Sequence, residues 1–187
     1  MGLNECTFLL LSCINLVKPI QSNTGYLEKK VIKQYNQAIN KAALKYDVSP
    51  YLLLALLKVE SNFGQNTTSK TNDHGPMQVN EWWFDRLKIS KKTVDSPDGA
   101  MYVAAKILSM AKEDTGGKGC WWSVYNSTTP KNRKKYERDV LQALDTLGFK
   151  TTCNTSEFLY DWSSAKAMTA QLKIDAGAKL AANNIKI

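Results

Sequence analysis

Apolar residues recur at three- and four-residue steps near the start of the chain, and lysine and glutamine occupy most positions between them. The stripe comprises Leu27, Val31, Tyr35, Ala38, Ile39, Ala42 and Tyr46. This spacing places the apolar side chains on one face of a helix. We therefore expect an amphipathic helix that packs this face against a core.

The next helix is predicted to be buried on all sides. Ser49 and Pro50 supply an N-cap followed by proline at the first helical position. The residues that follow, YLLLALLKVES, are apolar almost all round, which is typical of a helix enclosed by others. The sequence Asn62-Phe63-Gly64 ends it.

The rest of the chain continues the helical pattern with loops between the helices. A polar loop at 65–74 leads into 75–87 (GPMQVNEWWFDRL), which we expect to be a short helix. Segments 96–117 and 129–148 each open on a capping residue followed by proline and end at glycine. The segment 120–126 is short and aromatic. Because no run of alternating β-branched residues occurs, the pattern predicts a mainly α fold.

The N-terminal residues 6–17 (CTFLLLSCINLV) form an apolar run that is too short for a membrane span and suits a signal-peptide core. Lys and Arg are absent from the preceding MGLNE, however. The lipobox-like sequence ending at Cys13 leaves lipid anchoring open, and a buried helix is a third possibility. The preferred organisation is a signal peptide at 1–22, a domain at 23–150 and a partly helical extension at 151–187.

Composition and charge bound the functional classes. The 187 residues suit one globular domain, and the net charge of +8 suits an anionic partner or an ordinary solvated surface. No basic arm or zinc-finger spacing points to nucleic acid, and His74 is the only histidine, so no metal site is expected. Removal of the leader would leave Cys120 and Cys153, which we expect to form a disulfide; two unrelated buried thiols are the alternative.

Glu60 is the first candidate for chemistry. Leu53, Leu56 and Leu57 precede it by seven, four and three residues, so all four share one helix face. Burial among leucines and the negative end of the helix dipole both raise the pKa of a carboxyl group. Such a group can act as a general acid near neutral pH. On spacing alone, a glutamate that bends out to solvent is the preferred interpretation.

Three short motifs place Glu60 in a wider pattern: Glu60-Ser61, Gly75-Pro76-Met77-Gln78-Val79 and Tyr125-Asn126. Their order and spacing, over residues 42–147, resemble those of lysozyme-like lytic transglycosylases of the soluble-lytic-transglycosylase class. The run VYNSTTPKNRKKYERDV is similar to the small enzymes of type III and type IV secretion, conjugation and pilus systems. One departure is Pro76, where that family usually has a leucine-like residue.

The resemblance implies a lysozyme-like α domain that cleaves the MurNAc–GlcNAc bond of peptidoglycan in the periplasm, leaves 1,6-anhydroMurNAc ends and needs no cofactor. It implies that Glu60 is the catalytic acid and that the hydroxyl of Tyr125 orients it. The remaining substrate-binding residues would be Ser61, Gly75, Met77, Gln78 and Asn126. The partners would be glycan strands and, for the subgroup, secretion or conjugation machinery, with neither nucleic acid nor a stable membrane span involved.

A second carboxylate would change the mechanism. The motif region offers only Asp73, Glu81 and Asp85, and none stands where the resemblance calls for a second acid. We therefore expect an enzyme with a single acid in which Asp73 is dispensable. The alternatives left open are a lysozyme-type hydrolase of the same bond and a catalytically weak peptidoglycan-binding assembly factor.

Overall fold

A computed structural model of the chain describes residues 26–67, 69, 71–147 and 153. The predicted leader and almost all of the predicted extension lie outside these residues. The elements, in chain order, are α1 (Tyr26–Tyr46), α2 (Pro50–Ser61), β1 (Asp73–His74), β2 (Val79–Asn80), α3 (Trp82–Leu87), α4 (Lys91–Asp95), α5 (Pro97–Thr115), a 3-10 helix (Trp121–Tyr125) and α6 (Pro130–Thr146). The mainly α fold expected from the sequence is confirmed.

Helix α2 is the centre of the domain. Every residue from Leu52 to Leu57 is buried, with at most 1% of its surface exposed. The Ser49 hydroxyl accepts a hydrogen bond from the Leu52 amide, so the predicted cap is present. Helices α1, α5 and α6 all pack against α2. Because α2 is enclosed by other helices, the residues of its last turn are held in fixed positions.

Helix α1 packs mainly along α5 and shows the predicted apolar face. Tyr35, Ala38, Ile39 and Ala42 are buried, and Tyr46 is partly buried against the same core. The side chains of Leu27 and Val31 lie outside the described residues. The stripe therefore faces the core wherever the structure describes it.

The segment 75–87 is not one helix, which corrects the sequence-based expectation. Its first half closes a hairpin in which β1 and β2 pair antiparallel, with Asp73 opposite Asn80. Gly75 and Gln78 both have positive φ, at 71° and 45°, which a right-handed helix cannot accommodate. Only the second half, α3, is helical.

The disulfide and the surface complete the fold. Cys120 and Cys153 are bonded, with their Cα atoms 4.6 Å apart, and the bond lies directly before the 3-10 helix. It fixes Cys153 beside that helix. Within the described residues, no helix combines the length and apolar character that crossing a membrane requires.

Candidate active site

Glu60 lies in the last turn of α2, beside the point where the chain leaves the helix. Asn62 and Phe63 adopt left-handed backbone conformations that end the helix sharply. The Glu60 side chain is partly buried at one wall of a cavity of about 140 Å³. The other lining residues are Asp73, Gln78, Val79, Asn80, Trp83, Ile107, Tyr125 and Asn126. The carboxyl group therefore faces a surface cleft and does not bend out into open solvent.

The surroundings of Glu60 favour its protonated form. The pKa of its carboxyl group is raised from 4.5 to about 7, mainly by burial and to a smaller extent by the negative charge of Asp73. A hydrogen bond from Tyr136 acts in the opposite direction, because it stabilises the carboxylate. Glu60 thus holds a transferable proton near neutral pH, as a general acid must.

The tyrosine that contacts the acid is not the one expected from the motif. Tyr136, on α6, donates its hydroxyl hydrogen to Glu60 Oε1. Tyr125 lines the same cavity, but its hydroxyl donates to the Met77 carbonyl oxygen at 2.8 Å. The pKa of each tyrosine is raised well above its usual value, by burial first and by the Glu60 charge second, so both hydroxyls stay protonated as donors. Tyr125 is therefore a wall of the site, and Tyr136 orients the acid.

Gln78 and Asn126 stand where the motif suggested, on the cavity that holds Glu60. The Gln78 side chain is fixed, since its Nε2 donates to the carbonyl oxygens of Gly75 at 2.8 Å and Thr67 at 3.3 Å. Asn126 is exposed at the rim just after the 3-10 helix. Amide groups so placed can donate to and accept from the hydroxyl and acetamido groups of a sugar.

Ser61 and Met77 do not line this cavity, contrary to expectation. The buried Ser61 hydroxyl donates to the Leu57 carbonyl oxygen at 3.2 Å and accepts from the Gly64 amide at 2.7 Å. Met77 is fully buried in the core. Both residues stabilise the backbone around the site. The motif alone does not distinguish this structural role from contact with the substrate.

Gly75 is required by a different neighbour from the one expected. A Cβ atom at this position would lie 1.9 Å from the Val94 carbonyl oxygen, so the glycine leaves room for the backbone at the end of α4. Gly75 does border a second cavity, of about 360 Å³, which adjoins the first one at Asp73. Pro76 beside it is buried.

Of the three carboxylates near the motif, only Asp73 reaches the site. Its Oδ1 accepts a hydrogen bond from Asn80 Nδ2 at 2.8 Å, and its Oδ2 accepts from the hydroxyls of Ser69 and Thr71. Glu81 is exposed and bonds His74 Nε2 at 2.6 Å, and Asp85 is also exposed. The sequence offered Asp73 as a candidate carboxylate but did not place it beside Glu60, because the hairpin that turns it toward Glu60 was not predicted.

The tryptophans differ in position. Trp83 lines the cavity, Trp82 is 62% exposed next to it, and Trp122 is buried in the core. The Arg86 guanidinium lies 5.2 Å from the Trp82 ring centroid. Trp83 therefore gives the cleft an aromatic wall, a type of surface against which sugar rings stack.

The described part of the chain offers little that could bind a metal ion. One cluster of candidate ligands occurs there, formed by Cys120, Glu137 and Cys153, whose ligand atoms lie within 4.8 Å of one another. The two sulfur atoms are bonded to each other, so neither is a thiolate that can bind a metal. What the cleft offers is proton transfer from Glu60 beside fixed polar and aromatic groups.

Comparison with known proteins gives a consistent picture. A family model described as "Transglycosylase SLT domain" matches residues 37–143, which include Glu60, the hairpin and Tyr136. "Membrane-bound lytic murein transglycosylase C" of Actinobacillus pleuropneumoniae serotype 5b (strain L20) is 27% identical over 143 residues, covering 67% of this chain and 39% of that protein. The chain thus spans about two fifths of that relative's length.

A second relative is matched over a larger share of its own length. "Protein IpgF" of Shigella flexneri is 30% identical over 115 residues, which cover 54% of this chain and 74% of that protein.

Proposed function

The chain belongs to the Transglycosylase SLT domain family, and from this premise we propose that it is a lytic transglycosylase that cleaves the MurNAc–GlcNAc bonds of peptidoglycan. The observation that carries the proposal is Glu60, a carboxyl group that faces a cleft with its pKa raised to about 7. Cleavage of a glycosidic bond needs a proton for the leaving oxygen, and Glu60 supplies one near neutral pH.

The proposed reaction proceeds in two proton transfers. Glu60 donates its proton to the oxygen that leaves with GlcNAc as the bond to the anomeric carbon of MurNAc breaks. The resulting Glu60 carboxylate then accepts the proton of the primary hydroxyl of the same MurNAc. That oxygen bonds to the anomeric carbon and closes a 1,6-anhydro ring. An intramolecular hydroxyl that is already held close has a high effective concentration, so it can outcompete water.

The other residues of the cleft hold the substrate and the acid. Gln78 and Asn126 offer amides to the sugar, while Trp83 offers an apolar face. Tyr136 keeps the Glu60 carboxyl group in one orientation through the fold's own hydrogen bond. The net charge of +8 suits a substrate whose stem peptides carry carboxylates.

The proposed setting is the periplasm, reached through the predicted N-terminal leader. The murein named in the description of the Actinobacillus relative lies outside the cytoplasm, which supports this setting. The motif resemblance to enzymes of secretion, conjugation and pilus systems supports a role in opening the wall locally for such an apparatus. Glycan strands are then the substrate, and components of that apparatus are the partners.

Mass spectrometry of the fragments that the purified chain releases from sacculi tests the proposal. We expect muropeptides with 1,6-anhydroMurNAc ends from the wild-type chain and, since an amide cannot transfer the proton, a rate lower by roughly a hundredfold or more from Glu60→Gln. Fragments heavier by one water, with reducible ends, would show a lysozyme-type hydrolase. Equal activity of the variant would disprove the role of Glu60, and binding without release would show an assembly factor.

A further inference from the structure

The cavity of about 360 Å³ that Gly75 borders is larger than the cavity that holds Glu60, and the two adjoin. Asp73 forms a wall of both. The Gln78 side chain lines the first cavity and donates to the carbonyl oxygens of Gly75 and Thr67, two residues that line the second. Small-molecule sites have volumes of roughly 300–1,000 Å³. A group that branches from a sugar bound at Glu60 therefore has a space of suitable size to enter.

The lining of this second cavity suits a charged ligand better than a sugar ring. Among the described residues that line it, none is Trp, Tyr or Phe, whereas Trp83 and Tyr125 line the first cavity. Lys91 and Asp95 of α4 line the second cavity and form an ion pair, with Nζ and Oδ2 2.7 Å apart. Of the described residues that line either cavity, Lys91 is the one lysine or arginine. A carboxylate of the substrate therefore finds its cation at Lys91.

The Lys91–Asp95 ion pair is easily exchanged for contacts with a ligand. Both side chains are exposed, and an exposed ion pair contributes little to stability. Each charge can therefore take a ligand group of opposite sign at a small cost in free energy. The wall formed by His74 is fixed by comparison, since His74 Nε2 lies 2.6 Å from Glu81 Oε1 and its ring packs against Phe84.

We propose that this second cavity binds the stem peptide of the peptidoglycan strand whose glycosidic bond lies at Glu60. The inference rests on the proposed function. Stem peptides branch from the lactyl group of MurNAc and carry free carboxylates and, where they are not cross-linked, the amine of a diamino acid. Lys91 contacts a carboxylate of the peptide, and Asp95 contacts the amine, both through hydrogen bonds between charged groups. The cavity thus distinguishes strands that carry peptides from strands that do not.

The test compares soluble glycan strands that carry stem peptides with the same strands after an amidase has removed the peptides. Dissociation constants are measured with Glu60→Gln chains, in which the strands stay uncut. We expect Lys91→Met to lower the preference for peptide-bearing strands, which is the ratio of the two dissociation constants, by roughly threefold to fivefold. Lys92→Met is the matched control, because Lys92 is the neighbouring exposed lysine of α4 and does not line the cavity. It should leave the preference unchanged.

Asp95 is tested by changing the ligand. Acetylation of the peptide amines removes the positive charge that Asp95 contacts, so we expect acetylated strands to bind roughly threefold more weakly than untreated strands. Asp95→Asn should bind both kinds of strand equally. Asp98→Asn is the control, since Asp98 is exposed in the first turn of α5 and lies outside the cavity, and it should keep the difference. Acetylation without effect on the binding of any chain would disprove the contact with Asp95.

The outcomes separate this inference from the proposed function. A wild-type chain that releases no fragments from sacculi would defeat the proposed function, whereas the dissociation constants do not depend on cleavage. An unchanged preference in Lys91→Met, or an equal loss of preference in Lys92→Met, would overturn the inference alone. Weaker binding of both kinds of strand by the same factor in Lys91→Met would overturn it as well, because the cavity would then bind a sugar. If Lys91→Met does not fold, Lys91→Gln takes its place with the same measurements.

Discussion

The hydroxyl of Tyr136 donates a hydrogen bond to the carboxylate of Glu60 across 76 positions of the sequence. This bond joins the last turn of the central helix to the first half of α6. It favours the ionised form of Glu60 and so limits how far burial can raise the pKa. The pKa of Glu60 therefore reflects two opposing effects. Burial at the end of α2 raises it, and the hydrogen bond from Tyr136 on α6 lowers it.

Replacing Tyr136 by phenylalanine should shift this balance in one direction. Without the hydrogen bond the pKa of Glu60 rises above about 7, and a bond to a charged group is worth enough to move the alkaline limb of kcat/KM upward by about one pH unit. Turnover should also fall, since the acid loses its fixed orientation. The measurement is the pH profile of fragment release from sacculi.

Tyr125→Phe is the comparison for that prediction. Its hydroxyl bonds the Met77 carbonyl oxygen and not the acid, so we expect a smaller loss of activity and an unmoved limb. If the alkaline limb of kcat/KM shifts in Tyr125→Phe and does not shift in Tyr136→Phe, then Tyr125 is the tyrosine that bonds the acid and Tyr136 is not.

Glu60→Gln should stabilise the chain at alkaline pH only. The pKa of Glu60 in the folded chain, about 7, lies above its ordinary value of 4.5. The folded state thus binds the proton more tightly, and the stability present below pH 4.5 is lost as pH rises through 7. At pH 8 the variant avoids a buried charge worth at most about 3 kcal/mol, whereas at pH 4 it gains nothing from this source.

Denaturant unfolding at the two pH values measures this difference. Glu113→Gln serves as the control, because Glu113 is exposed on α5 and its replacement should have the same small effect at both. A Glu60→Gln variant whose free energy of unfolding differs from wild type equally at pH 4 and pH 8 would refute the buried-acid interpretation.

The disulfide should form in exported protein and stabilise it. Cys120 and Cys153 are 33 positions apart, and closing a loop of that length is worth roughly 3–4 kcal/mol in the chain-entropy account. We expect thiol reagents to label neither cysteine in protein recovered from the periplasm until a reductant is added. Reduction should lower the midpoint of unfolding. Both thiols free in fresh protein would contradict the prediction.

Two glycines with similar backbone angles should respond differently to alanine. Gly116 has φ of +65° and open space around a Cβ atom, so Gly116→Ala should cost about 1–2 kcal/mol for the left-handed conformation alone. Gly75 has φ of +71°, and a Cβ atom there would meet the Val94 carbonyl oxygen at 1.9 Å. Gly75→Ala should cost at least twice as much. The free energies of unfolding are measured by thermal or denaturant unfolding. If the two substitutions cost the same, the Val94 carbonyl oxygen does not lie against Gly75.

Much of the fold follows from local signals in the sequence. The apolar face of α1, the Ser49 cap and the enclosed α2 were all predicted, because helix periodicity and capping depend on neighbouring residues. Glu60 became a candidate from its place on a leucine-lined helix face, and the resemblance of the motifs around it decided the interpretation. The short helix α4, by contrast, was missed.

The remainder of the site depends on contacts between distant residues. The hairpin has two-residue strands, too short for alternation to be visible, and it is held by side chains such as Asn80, which donates to Thr71 and Asp73. The partner of Glu60, Tyr136, lies on α6. Motif order alone assigned this role to Tyr125. No local rule relates these positions, because their proximity arises only when the helices pack.

The walls of the cleft come from α2, the hairpin, α5 and the 3-10 helix, and the acid is oriented from α6. Before these segments assemble, Glu60 is an ordinary glutamate that has already lost its proton at neutral pH. A chain that is still being synthesised, threaded through a pore or bound by a chaperone therefore lacks a protonated Glu60 and cannot act as a general acid. Under the proposed function, a delay in the folding of this chain also delays the cleavage of peptidoglycan, because the acid acquires its raised pKa only when these segments pack together.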